Sequence, residues 1–207
     1  MIHCITSTDN DCNCYIISEN GRAIIVDPSC AEPVVEYVES MGLEVDYILL
    51  THEHFDHVIG LEVLRKTFAA TVVATKTCSD CIQEVRKNLS NVADMLTYFR
   101  TGEVREVPSE RFTCEPADMT FGQYAHLVWE YHSFDFTAVP GHSPGSVLIT
   151  MDGDAVFTGD YLIPDEEVIT RLSGGNTEDY EKLARPVLDT IAPGTHIYPG
   201  HGQDYIK

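Results

Sequence analysis

Apolar runs separated by polar turn residues predict strands and helices along the first half of the chain. The runs at 13–18 and 22–27 flank Asn20-Gly21, a dipeptide that favours a tight β-hairpin turn. The continuous apolar run at 45–50 is typical of a strand that is buried on both faces. The other elements predicted in this half are helices at 31–41, 57–69 and 77–99 and a strand at 70–74.

The second half repeats this order of strands followed by a helix. Predicted strands at 146–151 and 155–157 flank a hairpin turn at Asp152-Gly153-Asp154. Asn176 or Thr177 can cap a helix that runs to about residue 190. Further strands are predicted at 127–131, 134–139 and 196–198. Residues 100–126 show the weakest pattern, and we expect a long connection there or an excursion near a functional site.

Two successive halves that each carry strands and then helices predict an α/β (α+β) fold. The expected architecture is a four-layer αββα sandwich, in which two sheets pack face to face and the helices lie outside. Hydrophobic residues make up 43% of the 207 residues, which is enough to build a buried core. Because no linker-like or repetitive stretch interrupts the chain, we expect residues 1–207 to form a single domain.

Charge and targeting features restrict the classes of partner. The chain has 13 basic and 33 acidic residues and a formal net charge of −20, which argues against nucleic acid because a phosphate backbone is repelled. Residues 1–6 lack the features of a signal peptide, and no apolar run has the length of a membrane span. We therefore expect a cytoplasmic protein with reduced thiols that acts on a small molecule, without a membrane partner and in an oligomeric state left open.

A cluster of metal-ligating residue types directly follows the buried strand predicted at 45–50. The segment Thr51-His52-Glu53-His54-Phe55-Asp56-His57 holds three imidazoles and two carboxylates, which are suitable ligands for Zn, Fe and Mn. His52 and His54 share the strand period of two, whereas Asp56 and His57 diverge as a helix begins. The segment therefore favours two neighbouring ions, or one ion beside an acid–base group.

Three later loops offer the same residue types after predicted strands. His142 lies in Pro140-Gly141-His142-Ser143-Pro144-Gly145-Ser146, Asp160 ends Thr158-Gly159-Asp160, and His201 lies in Pro199-Gly200-His201-Gly202. Each loop alone is a weak signal, because turn residues of this kind are often structural. Four strand ends that present His or Asp, three of them beside Gly, favour convergence on one site.

In this order the motifs resemble those of the metallo-β-lactamase fold. The resemblance extends from Cys14-Tyr15-Ile16-Ile17 through Val26-Asp27-Pro28 to Pro199-Gly200-His201-Gly202. Within that superfamily the chain is most similar to the glyoxalase II group, the hydroxyacylglutathione hydrolases. The similar segments are Thr51, Asn88-Leu89-Ser90, residues 141–146, Phe157-Thr158-Gly159-Asp160 with Leu162, and Arg171 with Gly174-Gly175.

The resemblance implies two divalent metal ions, Zn with Fe or Mn as alternatives, bound by two sets of ligands. His52, His54 and His142 would bind one ion, Asp56, His57 and His201 the other, and Asp160 both. Such a centre supplies a hydroxide that attacks a carbonyl carbon.

Roles around the metal ions are expected for four side chains. Asp56 would orient the nucleophile as the catalytic residue, and Tyr161 and Arg171 would contact the substrate. Glu53 is expected to face away from the metals, either in solvent or behind a ligand.

Several functions remain open at this stage. Hydrolysis of a small acyl-thiol in the manner of glyoxalase II is the leading hypothesis. The sequence continues for six residues after His201, so we expect the C-terminal helical region of full-length glyoxalase II to be missing. Residues 161–167 also differ from that group, and weak binding of glutathione is therefore expected. The alternatives are a persulfide dioxygenase-like oxidoreductase with one iron, a lactonase or lactamase, and a metal-binding module without catalysis.

The remaining cysteine and histidine residues are interpreted as structural. Cys78-x-x-Cys81 has no second pair at ligand spacing and is expected to be a pair of ordinary thiols. Cys12 and Cys14 flank Asn13, and Cys14 is expected in the core. The same structural role is expected for His3, His126, His132 and His196.

Overall fold

The computed structural model, which describes residues 1–104 and 111–207, contains two six-stranded sheets. The strands of the first sheet are β1 Ile2–Thr6, β2 Asn13–Glu19, β3 Arg22–Val26, β4 Glu44–Leu49, β5 Thr71–Thr75 and β6 Met119–Phe121, in that order. The second sheet runs from β12 to β7 and comprises β7 Tyr124–Trp129, β8 His132–Ala138, β9 Val147–Met151, β10 Ala155–Gly159, β11 His196–Pro199 and β12 Tyr205–Ile206. Both sheets are mixed, with parallel pairing from β3 to β6 and between β10 and β11.

Helices cover the outer faces of both sheets. Those on or near the first sheet are α1 Glu32–Met41, α2 Phe55–Val58, α3 Leu61–Phe68, α4 Lys76–Cys81, the 3₁₀ turn Ser90–Val92 and α5 Ala93–Thr101. The second sheet is covered by α6 Thr177–Asp179, the π-helical turn Tyr180–Ala184 and α7 Arg185–Thr190. Asn176 caps this last helical segment by accepting from the backbone N–H groups of Glu178 and Asp179.

Alternation along the strands divides the core into layers. In β3, Ala23 and Ile25 pack under the helices, whereas Ile24 and Val26 pack between the sheets. In β9, Ile149 points between the sheets and Leu148 packs under the helices of the other side. Three apolar layers thus separate four layers of backbone, and the predicted αββα sandwich is confirmed.

Two predicted helices are wrong in their extent. The helix expected at 57–69 is divided into α2 and α3, because the N–H of Gly60 donates to the carbonyl oxygen of Pro28 and a Cβ atom at Gly60 would lie 2.8 Å from that oxygen. The helix expected at 77–99 is interrupted between α4 and α5, where Leu89 adopts a left-handed backbone conformation with φ 63°. The interruption places Leu89 beside the site described below.

The sequence prediction also missed three short strands, β1, β6 and β12. β6 lies within 100–126, the segment of weakest pattern, of which residues 105–110 lie outside the described residues. Within the described ranges, no helix combines the length and the apolar character needed to cross a bilayer.

Candidate metal centre

Four loops bring the predicted ligands to one rim of the sandwich. The loop after β4 carries His52 and His54 and leads into α2, whose first turn holds Asp56 and His57. The loops after β8, β10 and β11 carry the other three predicted ligands, which are His142, Asp160 and His201. The carboxyl ends of strands from both sheets therefore supply the site.

The first cluster contains His52, His54, His142 and Asp160, whose ligand atoms all lie within 4.8 Å of one another. Nε2 of His142 faces Nδ1 of His54 at 3.0 Å and Oδ2 of Asp160 at 3.4 Å. The three imidazoles are almost completely buried.

The second cluster contains Asp56, His57 and His201. Nε2 of His201 lies 3.3 Å from Oδ2 of Asp56 and 3.5 Å from Oδ1 of Asp160, and Nε2 of His57 lies 3.1 Å from the same Asp160 oxygen. Asp160 thus directs one carboxylate oxygen to each cluster. The structure brings all seven predicted ligands together in the two sets that the resemblance implies.

Hydrogen bonds from behind fix the orientation of the imidazole rings. The Nδ1 atoms of His142 and His201 lie 2.8 Å from the carbonyl oxygens of Ile169 and Asp11, and Nδ1 of His57 lies 2.8 Å from Oδ2 of Asp27. Since these oxygens only accept, the Nδ1 atoms carry protons and the Nε2 atoms point to the clusters.

Asp27 supports the centre from behind, a role that the sequence interpretation did not assign. Its carboxylate also accepts from the backbone N–H of Thr51 at 2.7 Å and from the Thr51 hydroxyl at 2.5 Å. The same hydroxyl lies 3.1 Å from Nδ1 of His52. One buried carboxylate therefore orients His57 directly and His52 through Thr51. Val26-Asp27-Pro28 belonged to the family resemblance, but no local pattern links it to residues 51–57.

Two close approaches explain the glycines beside the ligands. A Cβ atom at Gly159 would lie 2.6 Å from Oγ1 of Thr51. A Cβ atom at Gly200 would lie 2.5 Å from Cε1 of His57 and 2.8 Å from Oδ1 of Asp160. Any side chain at these positions would displace the ligands or the group that supports them.

Buried nitrogen atoms without partners show that the centre fits metal ions. Nε2 of His52, His54 and His201 are buried and have no hydrogen-bond partner among the described residues. Buried polar atoms left unpaired are costly, and the ring nitrogens gathered beside the carboxylates of Asp56 and Asp160 form a donor set for divalent cations.

The protonation states of the first cluster suit metal binding. Burial and neighbouring imidazoles lower the pKa of His52 well below its ordinary value and that of His54 to about 3. Burial opposes ionisation of Asp160, but the charges of His201 and His57 outweigh it and hold the Asp160 pKa well below its usual range. At neutral pH His52 and His54 therefore offer lone pairs and Asp160 is anionic.

His57 differs from the imidazoles of the first cluster. Burial lowers the pKa of His57, but Cys12, Asp27 and the other acidic groups around it outweigh burial and raise that pKa well above its ordinary value. A metal ion at the second cluster therefore displaces a proton from His57 when it binds.

Glu53 is buried, so the predicted solvated position is wrong. Its carboxylate accepts from the Ser143 hydroxyl at 3.0 Å and from the backbone N–H of Gly145 at 3.4 Å. Burial raises the Glu53 pKa to about 7, against the lowering effect of these hydrogen bonds. Glu53 thus ties the loop that carries His54 to the loop that carries His142, in agreement with the alternative expectation that it lies behind a ligand.

Tyr161 lies in the core, which contradicts its predicted contact with substrate. Only 1% of the residue is exposed, and its hydroxyl donates to the carbonyl oxygen of Val139 at 2.6 Å and accepts from the N–H of His142 at 2.9 Å. A side chain fixed in this way positions the His142 loop and has no free surface for substrate. Arg171, in contrast, is exposed and lines the pocket beside the centre.

That pocket has a volume of about 550 Å³ and opens onto both clusters. Its metal-facing wall includes His54, Asp56, His142 and Asp160. Its apolar lining comes from α2, the helical segments at 89–99 and the loop at 169–172. It comprises Phe55, Leu89, Met95, Leu96, Phe99, Ile169 and Leu172. Arg100 and Arg171 add positive charge, and Arg100 is held by Glu166 at 3.2 Å.

The other histidines and the CxxC pair lie outside the two clusters, as expected. His3 stacks on Tyr37, and each of the remaining three contacts a carboxylate, in the pairs His126–Asp135, His132–Asp152 and His196–Asp204. Cys78 and Cys81 are buried free thiols, and Cys14 is in the core.

Comparison with known proteins identifies the family. The family model described as the metallo-beta-lactamase superfamily matches residues 7–201. The chain is similar to the probable metallo-hydrolase YqgX of Bacillus subtilis, 28% identical over 194 residues that cover 93% of this chain and 85% of that protein. It is also similar to a hydroxyacylglutathione hydrolase of Pelagibacter ubique, 36% identical over 198 residues that cover 93% of this chain and 66% of that protein. Among solved structures, the BLEG-1 B3 metallo-beta-lactamase matches with a TM-score of 0.85 and 26% identity, over 100% of this chain and 94% of that chain.

Fold, clusters and family match together define a metallo-hydrolase. The chain belongs to the metallo-β-lactamase superfamily, which confirms the family and the fold predicted from its motifs. Proteins of different activities, among them a hydroxyacylglutathione hydrolase and a metallo-beta-lactamase, resemble the chain.

Proposed function

We propose that this chain hydrolyses thioesters of small acyl groups in the manner of glyoxalase II. The observation that carries the proposal is the arrangement of seven ligand side chains in two adjoining clusters joined by Asp160. The similarity to a hydroxyacylglutathione hydrolase at 36% identity supports a thioester as the substrate class.

The centre would hold two divalent metal ions, one in each cluster. Zn fits the imidazole and carboxylate donors, and Fe or Mn are compatible with them. When bound, such ions polarise a carbonyl group and lower the pKa of water, to about 7 in favourable zinc sites.

Asp56 is suited to orient the attacking water. Its carboxylate lines the pocket and, although burial opposes ionisation, the charges of His57 and His201 lower its pKa to about 2. An anionic carboxylate only accepts hydrogen bonds. Asp56 would therefore accept a hydrogen bond from the O–H group of the attacking water and so turn an oxygen lone pair of that water toward the substrate.

The pocket is suited to a substrate with an apolar acyl group and an anionic end. Met95 and Phe99 leave large exposed apolar surfaces at the rim, at 49% and 73% exposure. Contact with an acyl chain would bury this surface. Arg171 lies on the same rim and can bind a carboxylate of the acyl group or of its thiol carrier.

A substrate panel tests the proposal with metal-loaded protein. The panel contains S-lactoylglutathione, a short acyl-coenzyme A, nitrocefin and a γ-lactone, and Asp160→Ala serves as the inactive control. We expect kcat/KM for at least one thioester to exceed that for nitrocefin and the lactone by at least about 100-fold. Preferred turnover of nitrocefin or the lactone would replace the proposal with a lactamase or lactonase.

A further inference from the structure

A thiol lies beside the second cluster and is absent from the ligand set that the sequence predicted. The Sγ atom of Cys12 lies within 4.8 Å of the ligand atoms of Asp56, His57 and His201, all four being mutually within that distance. Cys12 has no exposed surface. We infer that Cys12 is a protein ligand of the metal ion in the second cluster. It would be the fourth ligand that belongs to this cluster alone, after Asp56, His57 and His201, and Asp160 would add the carboxylate oxygen that it directs to this cluster.

A second observation points to a ligand at the same place. Nε2 of His201 is buried, has no hydrogen-bond partner among the described residues, and belongs to a residue that is 1% exposed. The opposite ring atom, Nδ1, is fixed on the carbonyl oxygen of Asp11 at 2.8 Å, so the ring presents Nε2 to the cluster that contains the Cys12 thiol. The metal ion that His201 requires would therefore lie within reach of the thiol.

The backbone of Cys12 is held firmly enough to place a ligand. Its N–H donates to Oδ1 of Asn10 at 3.0 Å, and its carbonyl oxygen accepts from the Ser29 hydroxyl at 3.0 Å and from the N–H of Ser7 at 2.8 Å. The residue also forms an isolated antiparallel bridge with His201. Thiol and imidazole thus lie on paired backbone segments, which fixes their separation before a metal binds.

On binding metal, the Cys12 thiol gives up a long hydrogen bond and its contact with the His57 imidazole. Its contact with the carbonyl oxygen of Asn13, at 3.9 Å, is long even for sulfur. On coordination the S–H bond is broken, the proton leaves to solvent, and the sulfur lone pair forms the bond to the metal ion.

A thiolate ligand changes which metals the second cluster prefers. Carboxylate and imidazole donors accept Mn, Fe and Zn, whereas a soft thiolate favours Zn or Fe over Mn. The inference requires a metal ion in the second cluster but does not depend on the thioester substrate. The Cys12 sulfur would make the two clusters chemically different, since the first cluster offers only nitrogen and oxygen donors.

Cobalt substitution tests the inference by a readout other than activity. Chelator-stripped wild-type protein is titrated with Co²⁺, and we expect a near-ultraviolet sulfur-to-cobalt charge-transfer band that develops as the second cluster fills. The band should be lost in Cys12→Ser and kept in Cys4→Ser, a matched control at an exposed thiol. The Kd of the second equivalent of Zn²⁺ should rise at least about tenfold in Cys12→Ser.

X-ray absorption of the wild-type zinc protein covers the case in which Cys12→Ser does not fold. A sulfur scatterer at about 2.3 Å from zinc supports the inference. Absence of both the cobalt band and the sulfur scatterer from wild-type protein with two bound ions, or persistence of the band in Cys12→Ser, would overturn it. Thioester hydrolysis without a sulfur ligand would overturn this inference alone, and a sulfur ligand without thioester hydrolysis would overturn the proposed substrate alone.

Discussion

Nδ1 of His57 lies 2.8 Å from Oδ2 of Asp27, and the two side chains are 0% and 3% exposed. The two residues are thirty positions apart in the chain, and Asp27 directly follows β3, the strand next to β4. This contact orients a ligand of the second cluster, and through Thr51 the same carboxylate reaches a ligand of the first. Metal binding at both loci therefore depends on a residue that touches neither.

Asp27→Asn should weaken metal binding without removing a ligand. Asparagine tolerates the left-handed backbone of this position, φ 52°, but its amide is a weaker acceptor for the His57 N–H. We expect the Kd of the second metal equivalent to rise about 10–100-fold, as measured by competition with a chromophoric chelator. Asp189→Asn, an exposed position on α7, is the control. Unchanged affinity in Asp27→Asn would show that the contact does not tune the centre.

Asp160→Ala should lose one of two metal ions. Its carboxylate lies between the clusters, and two dications that share a site repel strongly unless an anion separates them. We expect about one equivalent on elemental analysis and a fall in turnover by orders of magnitude, with an unchanged circular dichroism spectrum. Asp189→Ala should keep both ions. Two equivalents and near-normal turnover in Asp160→Ala would make Asp160 a structural turn residue.

Glu53 should make the metal-free protein less stable as the pH rises. Burial raises its folded-state pKa to about 7, above a value of about 4.3 in the unfolded chain, so the folded protein binds more protons between these values. The contribution of Glu53 to the free energy of unfolding should therefore fall from pH 5 to pH 8, by roughly 3 kcal/mol at most. Urea denaturation of chelator-treated protein at several pH values measures this change.

Glu53→Gln is the control for that pH dependence, because the amide fills the same space and does not titrate. The difference in unfolding free energy between wild type and variant should grow as the pH rises. A constant difference from pH 5 to pH 8 would show that Glu53 remains ionised in the folded protein.

Arg171→Ala should raise KM for an anionic thioester more than it lowers kcat. The guanidinium is exposed at the pocket rim, away from the ligand clusters, so it can bind substrate without contact to the reacting atoms. We expect an increase in KM of about tenfold, typical of a lost hydrogen bond to a charged group. Arg86→Ala, at an exposed position outside the pocket, should leave KM unchanged. An unchanged KM in Arg171→Ala would remove this residue from the substrate site.

The ligand residues were predictable because each follows a strand with a clear apolar pattern. His52 and His54 come directly after the buried run at 45–50, and the structure places that run in β4 at the centre of its sheet. The helix boundaries were not predictable in the same way. Gly60 and Leu89 break helices through contacts and backbone angles set by the tertiary structure, which overrides local propensity.

Residues that support the site from behind were the hardest to assign. Asp27 and Cys12 reach the centre only because β2 and β3 lie beside the rim, and no spacing in the sequence expresses that proximity. Tyr161 follows the ligand Asp160 in the sequence and is predicted to contact substrate, yet its hydroxyl turns inward to hold the His142 loop. Proximity in sequence to a ligand therefore did not distinguish contact with substrate from support of the centre.

Elemental analysis combined with oxygen measurement tests the two-metal hydrolytic centre most directly. Protein purified without added metal is assayed for Zn, Fe and Mn, and the same preparation is supplied with S-lactoylglutathione and with glutathione persulfide in an oxygen-electrode cell. We expect close to two metal equivalents per chain, release of thiol from the thioester, and no oxygen uptake with either compound. One iron per chain in a fully active preparation that consumes oxygen with the persulfide would contradict this expectation and establish a dioxygenase.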